Sequence, residues 1–106
     1  MIQFLYFEGC PNSFETLKNL IEVIDELGIN RNFVKIIKIK DIYHAKKLKF
    51  LGSPTILLNE KDIFTLEKPK NFNFSCRLYN INGKLTGIIP KYFIKEKIIN
   101  EFKNFI

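Results

Sequence analysis

Ile2-Gln3-Phe4-Leu5-Tyr6-Phe7-Glu8-Gly9-Cys10-Pro11-Asn12-Ser13 opens the chain and decides how the rest is read. Residues 2–7 are β-branched, aromatic and aliphatic, too few for a helix, and end at Glu8-Gly9, which predicts a buried strand. The chain then turns at Gly9-Cys10-Pro11. Over residues 14–27 the apolar side chains Phe14, Leu17, Leu20, Ile21, Val23, Ile24 and Leu27 recur at spacings of three and four. Glu15, Lys18, Glu22, Asp25 and Glu26 fill the other side. That periodicity predicts an amphipathic helix with its apolar stripe on the core. Pro11 suits the first turn, where a missing N–H costs nothing, and Gly28 suits the left-handed position just past the end.

Working outward, residues 33–39 are β-branched and partly alternating, interrupted by Lys35 and Lys38, and predict a second strand. Asp41 is placed to cap a short helix reaching about Phe50, with Ile42, Ala45, Leu48 and Leu51 toward the core and Lys46, Lys47 and Lys49 toward water. Gly52-Ser53-Pro54 breaks it, and residues 55–58 read as a third strand. Residues 59–75 are polar, contain Lys68-Pro69-Lys70 and read as an irregular excursion. Residues 76–79 and 84–88 flank Asn82-Gly83, a dipeptide that supplies the positive φ angles of a tight hairpin. After Pro90, the spacing of Phe93, Ile94, Ile98, Phe102 and Phe105 predicts a closing helix. The order is β-α-β-α-β-β-α, one α/β domain over residues 1–106. Strands separated by helices are expected to pair in parallel, and the last hairpin to add antiparallel strands, giving a mixed central sheet.

The chain has 106 residues and a formal charge of +6, from 17 basic and 11 acidic side chains. Fifteen of the basic residues are Lys, and only Arg31 and Arg77 are Arg, the residue that phosphate and guanine recognition favours. Ile, Lys, Asn and Phe are used heavily, and Ala45 is the only alanine. Such a skew reflects coding composition more simply than a binding surface, so no nucleic-acid partner is expected. No apolar run approaches the ~18 residues that mark a membrane span, so no membrane partner is expected either. The start lacks the basic region and small-residue cleavage site of a signal peptide, which makes the cytoplasm the expected address. Thiols are kept reduced there, so Cys10 and Cys76 are expected to be free, catalytic or redox-responsive.

Between a strand and a helix, Cys10 would face unpaired backbone N–H groups and the positive end of the helix dipole. Such a site favours the thiolate, which is the species that attacks disulfides. The plainer alternative is a small buried hydrophobe, against which the sharp turn made by Gly9 and Pro11 argues. A second landmark is Gly52-Ser53-Pro54-Thr55, between the second helix and an apolar strand. With these two in order, the chain resembles the thioredoxin-like superfamily, in which a cysteine motif opens the first helix and a cis-proline loop starts the third strand beside it. More narrowly, Phe-Glu-Gly-Cys-Pro-Asn at 7–12, Gly-Ser-Pro-Thr at 52–55 and Ser-Cys-Arg-Leu-Tyr at 75–79 resemble a group of small thioredoxin-like proteins. Some of these carry names borrowed from alkylmercury lyase.

The resemblance implies a three-layer thioredoxin-like fold covering nearly the whole chain. It also implies a cis Ser53–Pro54 bond, whose Ser53 backbone would pair with an extended substrate segment, with Ser53, Pro54 and Thr55 as the binding loop. An ordinary trans turn proline is the alternative. Dithiol members carry a second Cys three residues after the first, where this chain has Ser13. A Cys10–Ser13 disulfide is impossible, so the dithiol cycle is closed to this chain unless another thiol substitutes. Ser13 either donates a hydrogen bond to the Cys10 thiolate or is simply a helix-start residue. Cys76 is the candidate for the missing thiol, provided residues 76–79 and 84–87 form a hairpin whose second arm is the fourth core strand. Otherwise Cys76 is a plain core residue.

His44 lies among lysines in the second helix and is expected at the surface. No metal site is expected from one His and two distant Cys, and no cofactor. Tyr6, Tyr43, Tyr79 and Tyr92, with eleven Phe, are expected in the core rather than stacked on bases. The leading expectation is monothiol thiol–disulfide exchange. Cys10 attacks a protein disulfide or glutathione-type adduct, and Cys76 or an external thiol resolves the mixed disulfide. One alternative is a non-catalytic domain holding a peptide in the groove between Cys10 and Pro54. Another is handling of a soft metal or an organomercurial.

Overall fold

The computed structural model describes residues 1–103. Phe105, expected in the closing helix, lies outside them. The elements are β1 (Ile2–Tyr6), α1 (Ser13–Glu26), β2 (Val34–Lys38), α2 (Ile42–Leu48), β3 (Thr55–Leu58), β4 (Lys61–Asp62), β5 (Tyr79–Ile81), β6 (Lys84–Thr86) and α3 (Lys91–Phe102). A mixed sheet runs in the order β2-β1-β3-β4, and β5 and β6 form a separate two-stranded sheet. No described helix is long and apolar enough to cross a membrane.

Strand alternation sorts the core into two faces. Ile2 and Phe4 of β1, with Ile56 and Leu58 of β3, meet Leu20, Val23 and Ile24 of α1 and Ile94 and Ile98 of α3. Leu5 and Leu57 point the other way, onto Ile39, Ala45 and Phe50. The sheet is thus covered by α1 and α3 on one side and by α2 with its flanking residues on the other.

Pairing differs from the sequence expectation. β1 and β2 are parallel, Ile2 opposite Val34, but β3 runs antiparallel to β1, with Leu5 opposite Thr55 and Ile2 opposite Leu58. The connection over residues 39–54 returns the chain to the end of the sheet where it left: Lys38 closes β2 opposite Tyr6, and Thr55 opens β3 opposite Leu5. α2 rises only about 10 Å and does not by itself carry the chain back along the ~17 Å of a five-residue strand. The fourth strand is also not the one expected. Residues 84–87 do not join the main sheet. Lys61–Asp62 does, pairing antiparallel with Leu57 and Leu58, and it belongs to the stretch read as irregular. Asn59 and Glu60 both take left-handed backbone angles, φ 51° and 70°, which makes the tight reversal between β3 and β4.

Two apolar stripes are also displaced. Phe14 is 75 % exposed, whereas Ser13 and Thr16 are buried. The Thr16 hydroxyl accepts from the Ile89 N–H at 3.2 Å, and the Asn19 amide donates to the Ile89 carbonyl at 2.9 Å. These two polar residues therefore turn α1 toward the backbone that precedes α3. In α2 only Ala45 is buried, while Ile42 and Leu48 stay exposed. Lys49 takes a left-handed cap, and Phe50, its N–H bonded to the Ala45 carbonyl, drops fully into the core. His44 is half-buried. Its N–H bonds the Asp41 carboxylate and its Nδ1 accepts from Lys40, a reciprocal cap of α2.

Candidate functional site

Cys10 sits where the strand–turn–helix reading puts it, just before α1. Its residue is 6 % exposed. Within reach are the Ser53 carbonyl, to which its thiol donates at 3.4 Å, and the Cys76 sulfur at 3.5 Å, with the Cys76 thiol as donor. Burial raises the Cys10 pKa. Hydrogen bonding from the Ser53 side chain, the Asn12 and Ser13 amides and the Cys76 thiol outweighs it, so Cys10 lies below the ordinary thiol range. Cys76 moves the other way, raised first by its hydrogen bond to Cys10 and then by burial. The pair therefore has one sulfur that favours thiolate and one that holds its proton.

Ser13 does not reach the sulfur with its hydroxyl. The hydroxyl donates to the Cys10 carbonyl at 2.9 Å, so the side chain fixes the turn while its backbone N–H faces the thiol.

The Ser53–Pro54 peptide bond is cis. The Ser53 backbone, expected to pair with an external strand, is already paired within the chain. Its N–H bonds the Ser75 carbonyl and its carbonyl accepts from the Arg77 N–H, both at 2.9 Å, in a parallel bridge opposite Cys76. Residues 75–77 thus take the place assigned to a substrate segment. Ser53 is fully buried, and its hydroxyl accepts from the Phe7 N–H at 3.3 Å. Thr55 turns its hydroxyl back to the Gly52 carbonyl.

Cys76 reaches Cys10 by a route other than the expected hairpin arm, since pairing across Asn82-Gly83 begins only at Tyr79. Three residues missed in the sequence set its position. The fully buried Asp62 carboxylate receives a two-pronged ion pair from Arg77, both contacts 2.8 Å. Arg77 also donates to Thr55 at 3.3 Å and lies over the Tyr79 ring, 4.4 Å from its centroid. The Tyr79 hydroxyl donates to the Pro54 carbonyl, and burial pushes its pKa well above the ordinary phenol value. For Arg77, burial pulls the pKa down but the Asp62 pairing more than offsets it, leaving the guanidinium charged. Gly52 allows the close approach: its φ is +115°, and a Cβ there would stand 2.9 Å from the Arg77 Cβ. One signal was present in the sequence, because Arg77 is one of only two arginines among fifteen lysines and adjoins Cys76.

His44 is remote in role, spent on its helix cap. Among the described residues, no three His, Cys, Asp or Glu side chains converge as a metal-binding group. A cavity of about 430 Å³ lies at the opposite end of the sheet, lined by residues such as Met1, Ile29, Phe33 and Phe102, and includes neither cysteine. No protein-family model, curated protein or solved structure matches this chain.

Proposed function

We propose that this is a thioredoxin-like thiol protein that performs thiol–disulfide exchange through the Cys10–Cys76 pair. The single observation carrying the reading is the 3.5 Å separation of two free sulfurs that are 66 residues apart in sequence. Closing that gap to a bond of ~2.05 Å needs a movement of about 1.5 Å. Further support comes from the element order β1-α1-β2-α2-β3-β4, closed by α3 after the β5–β6 hairpin, and from the cis Ser53–Pro54 loop beside Cys10. In this reading Cys76 replaces the thiol that Ser13 does not provide. The net reaction converts a substrate disulfide and two protein thiols into two substrate thiols and a Cys10–Cys76 disulfide. An external dithiol then restores the reduced protein.

The peptide-holding alternative has less support, because both backbone groups of Ser53 are taken by residues 75–77. Turnover of a small fluorogenic disulfide, with a dithiol as final reductant, tests the proposal. Wild type is expected to turn it over, and Cys10→Ser and Cys76→Ser each to do so roughly tenfold or more slowly, because only the external dithiol is then left to resolve the mixed disulfide. Equal turnover by all three proteins would refute it.

A further inference from the structure

The two sulfurs differ in access as well as acidity. Cys10 is closed in by the Ser53 carbonyl and by the Cys76 sulfur, carried on residues 75–77, which bridge to Ser53 and form its cover, whereas Cys76 itself is exposed. The cover is firmly held. Two backbone hydrogen bonds join it to Ser53, and the ion pair from Arg77 to the buried Asp62 secures its far end. An incoming sulfur therefore meets Cys76 first. In thiol–disulfide exchange, which sulfur is attacked depends on access, and the better leaving group is the more acidic thiol.

We propose that the external partner exchanges at Cys76, with Cys10 as the internal thiol that completes the reaction, the reverse of the order suggested by the helix-start position of Cys10. This rests on the exchange reading above and assigns its order. The Cys76 thiol already donates to Cys10, so the Cys10 thiolate accepts its proton as Cys76 attacks a glutathione-type disulfide. A Cys76–glutathione bond forms, the substrate S–S bond breaks, and the first glutathione leaves as thiolate. The Cys10 proton passes to that thiolate through solvent. Cys10 then attacks the Cys76 sulfur, the second glutathione leaves and is protonated from solvent, and the protein disulfide remains. Two electrons have moved from the protein thiols to the substrate. In the return direction a reducing thiol attacks exposed Cys76, and Cys10 departs as the stabilised thiolate.

The test treats wild type, Cys10→Ser and Cys76→Ser with oxidised glutathione, quenches with acid and maps the adducts by peptide mass spectrometry. Both substitutions are nearly isosteric and keep the cover in place. Runs at about pH 10, above the usual thiol range, ionise free thiols so that access rather than acidity separates the sites. Cys10→Ser is expected to accumulate one glutathione on Cys76, and Cys76→Ser to label Cys10 roughly tenfold or more slowly. Labelling of Cys10 as fast as or faster than Cys76 would overturn the order while leaving the pair intact. Absence of any Cys10–Cys76 disulfide in wild type would instead overturn the exchange reading on which the order rests.

Discussion

Cys10 and Cys76 arrive at one point by opposite means. Cys10 is delivered by local structure: a strand of five residues, a turn and a helix of fourteen, each specified by its own side-chain pattern. Cys76 lies in an isolated bridge, outside any helix or extended strand, and is held by partners distant in sequence: Ser53, and through Arg77, Asp62 and Thr55. A cysteine placed locally tolerates the loss of single contacts, because the surrounding element persists. A cysteine placed by side chains depends on each of them.

The largest expected effect is therefore at the ion pair. Arg77→Met leaves the Asp62 carboxylate buried without its cation, which is expected to cost about 3–5 kcal/mol, read as a shift in the urea midpoint. Asp62→Asn with Arg77→Met together should recover much of that loss, because no uncompensated charge remains. Gly52→Ala comes next. It forces a side chain into a left-handed backbone against Arg77 and is expected to cost ~1–3 kcal/mol, together with slower disulfide formation. On the other side, Ser13→Ala removes only the hydroxyl bond to the Cys10 carbonyl, for about 1 kcal/mol, with the pair still able to oxidise. A ranking in which Ser13→Ala outweighs Arg77→Met would break the comparison.

Acidity sharpens it further. Cys76→Ala removes a donor to Cys10, so the Cys10 titration, followed by thiolate absorbance, is expected to move up toward the ordinary range. Cys10→Ser removes the partner that holds the Cys76 proton, so Cys76 is expected to move down. The linkage follows the signs. Lowered in the folded state, Cys10 adds stability above its unfolded pKa, and that contribution fades as pH falls through its folded pKa. Cys76, raised, adds stability below its unfolded pKa and loses it as pH rises through its folded value. The two oppose each other, and each single variant removes one slope and flattens the other. The smallest effect is expected at Glu8→Gln, which breaks an exposed pair with Lys38 and should leave the urea midpoint unchanged.

The same contrast explains what could be read in the sequence. β1, α1, the Asn82-Gly83 turn and α3 announce themselves within a few residues, and so does the position of Cys10. β4 does not, since two residues carry no periodicity and its turn is Asn59-Glu60 rather than a glycine pair. The outward swing of Phe14 depends on Thr16 and Asn19 binding a backbone about 70 residues away. Arg77 and Asp62 look like ordinary surface charges until the chain after β4 folds back and brings them together, Asp62 fully buried. Cys76 could be named as a candidate partner, but its route could not, because that route consists of tertiary contacts.

The central claim is that the fold, rather than chance encounter, holds Cys10 and Cys76 together. Its most direct measurement is the equilibrium between reduced protein and its Cys10–Cys76 disulfide in glutathione redox buffers, quantified by mass spectrometry in native conditions and again in denaturant. A disulfide favoured at least tenfold more strongly in the native protein, a difference of about 1.4 kcal/mol, is the predicted result. Equal values in the two conditions would contradict it.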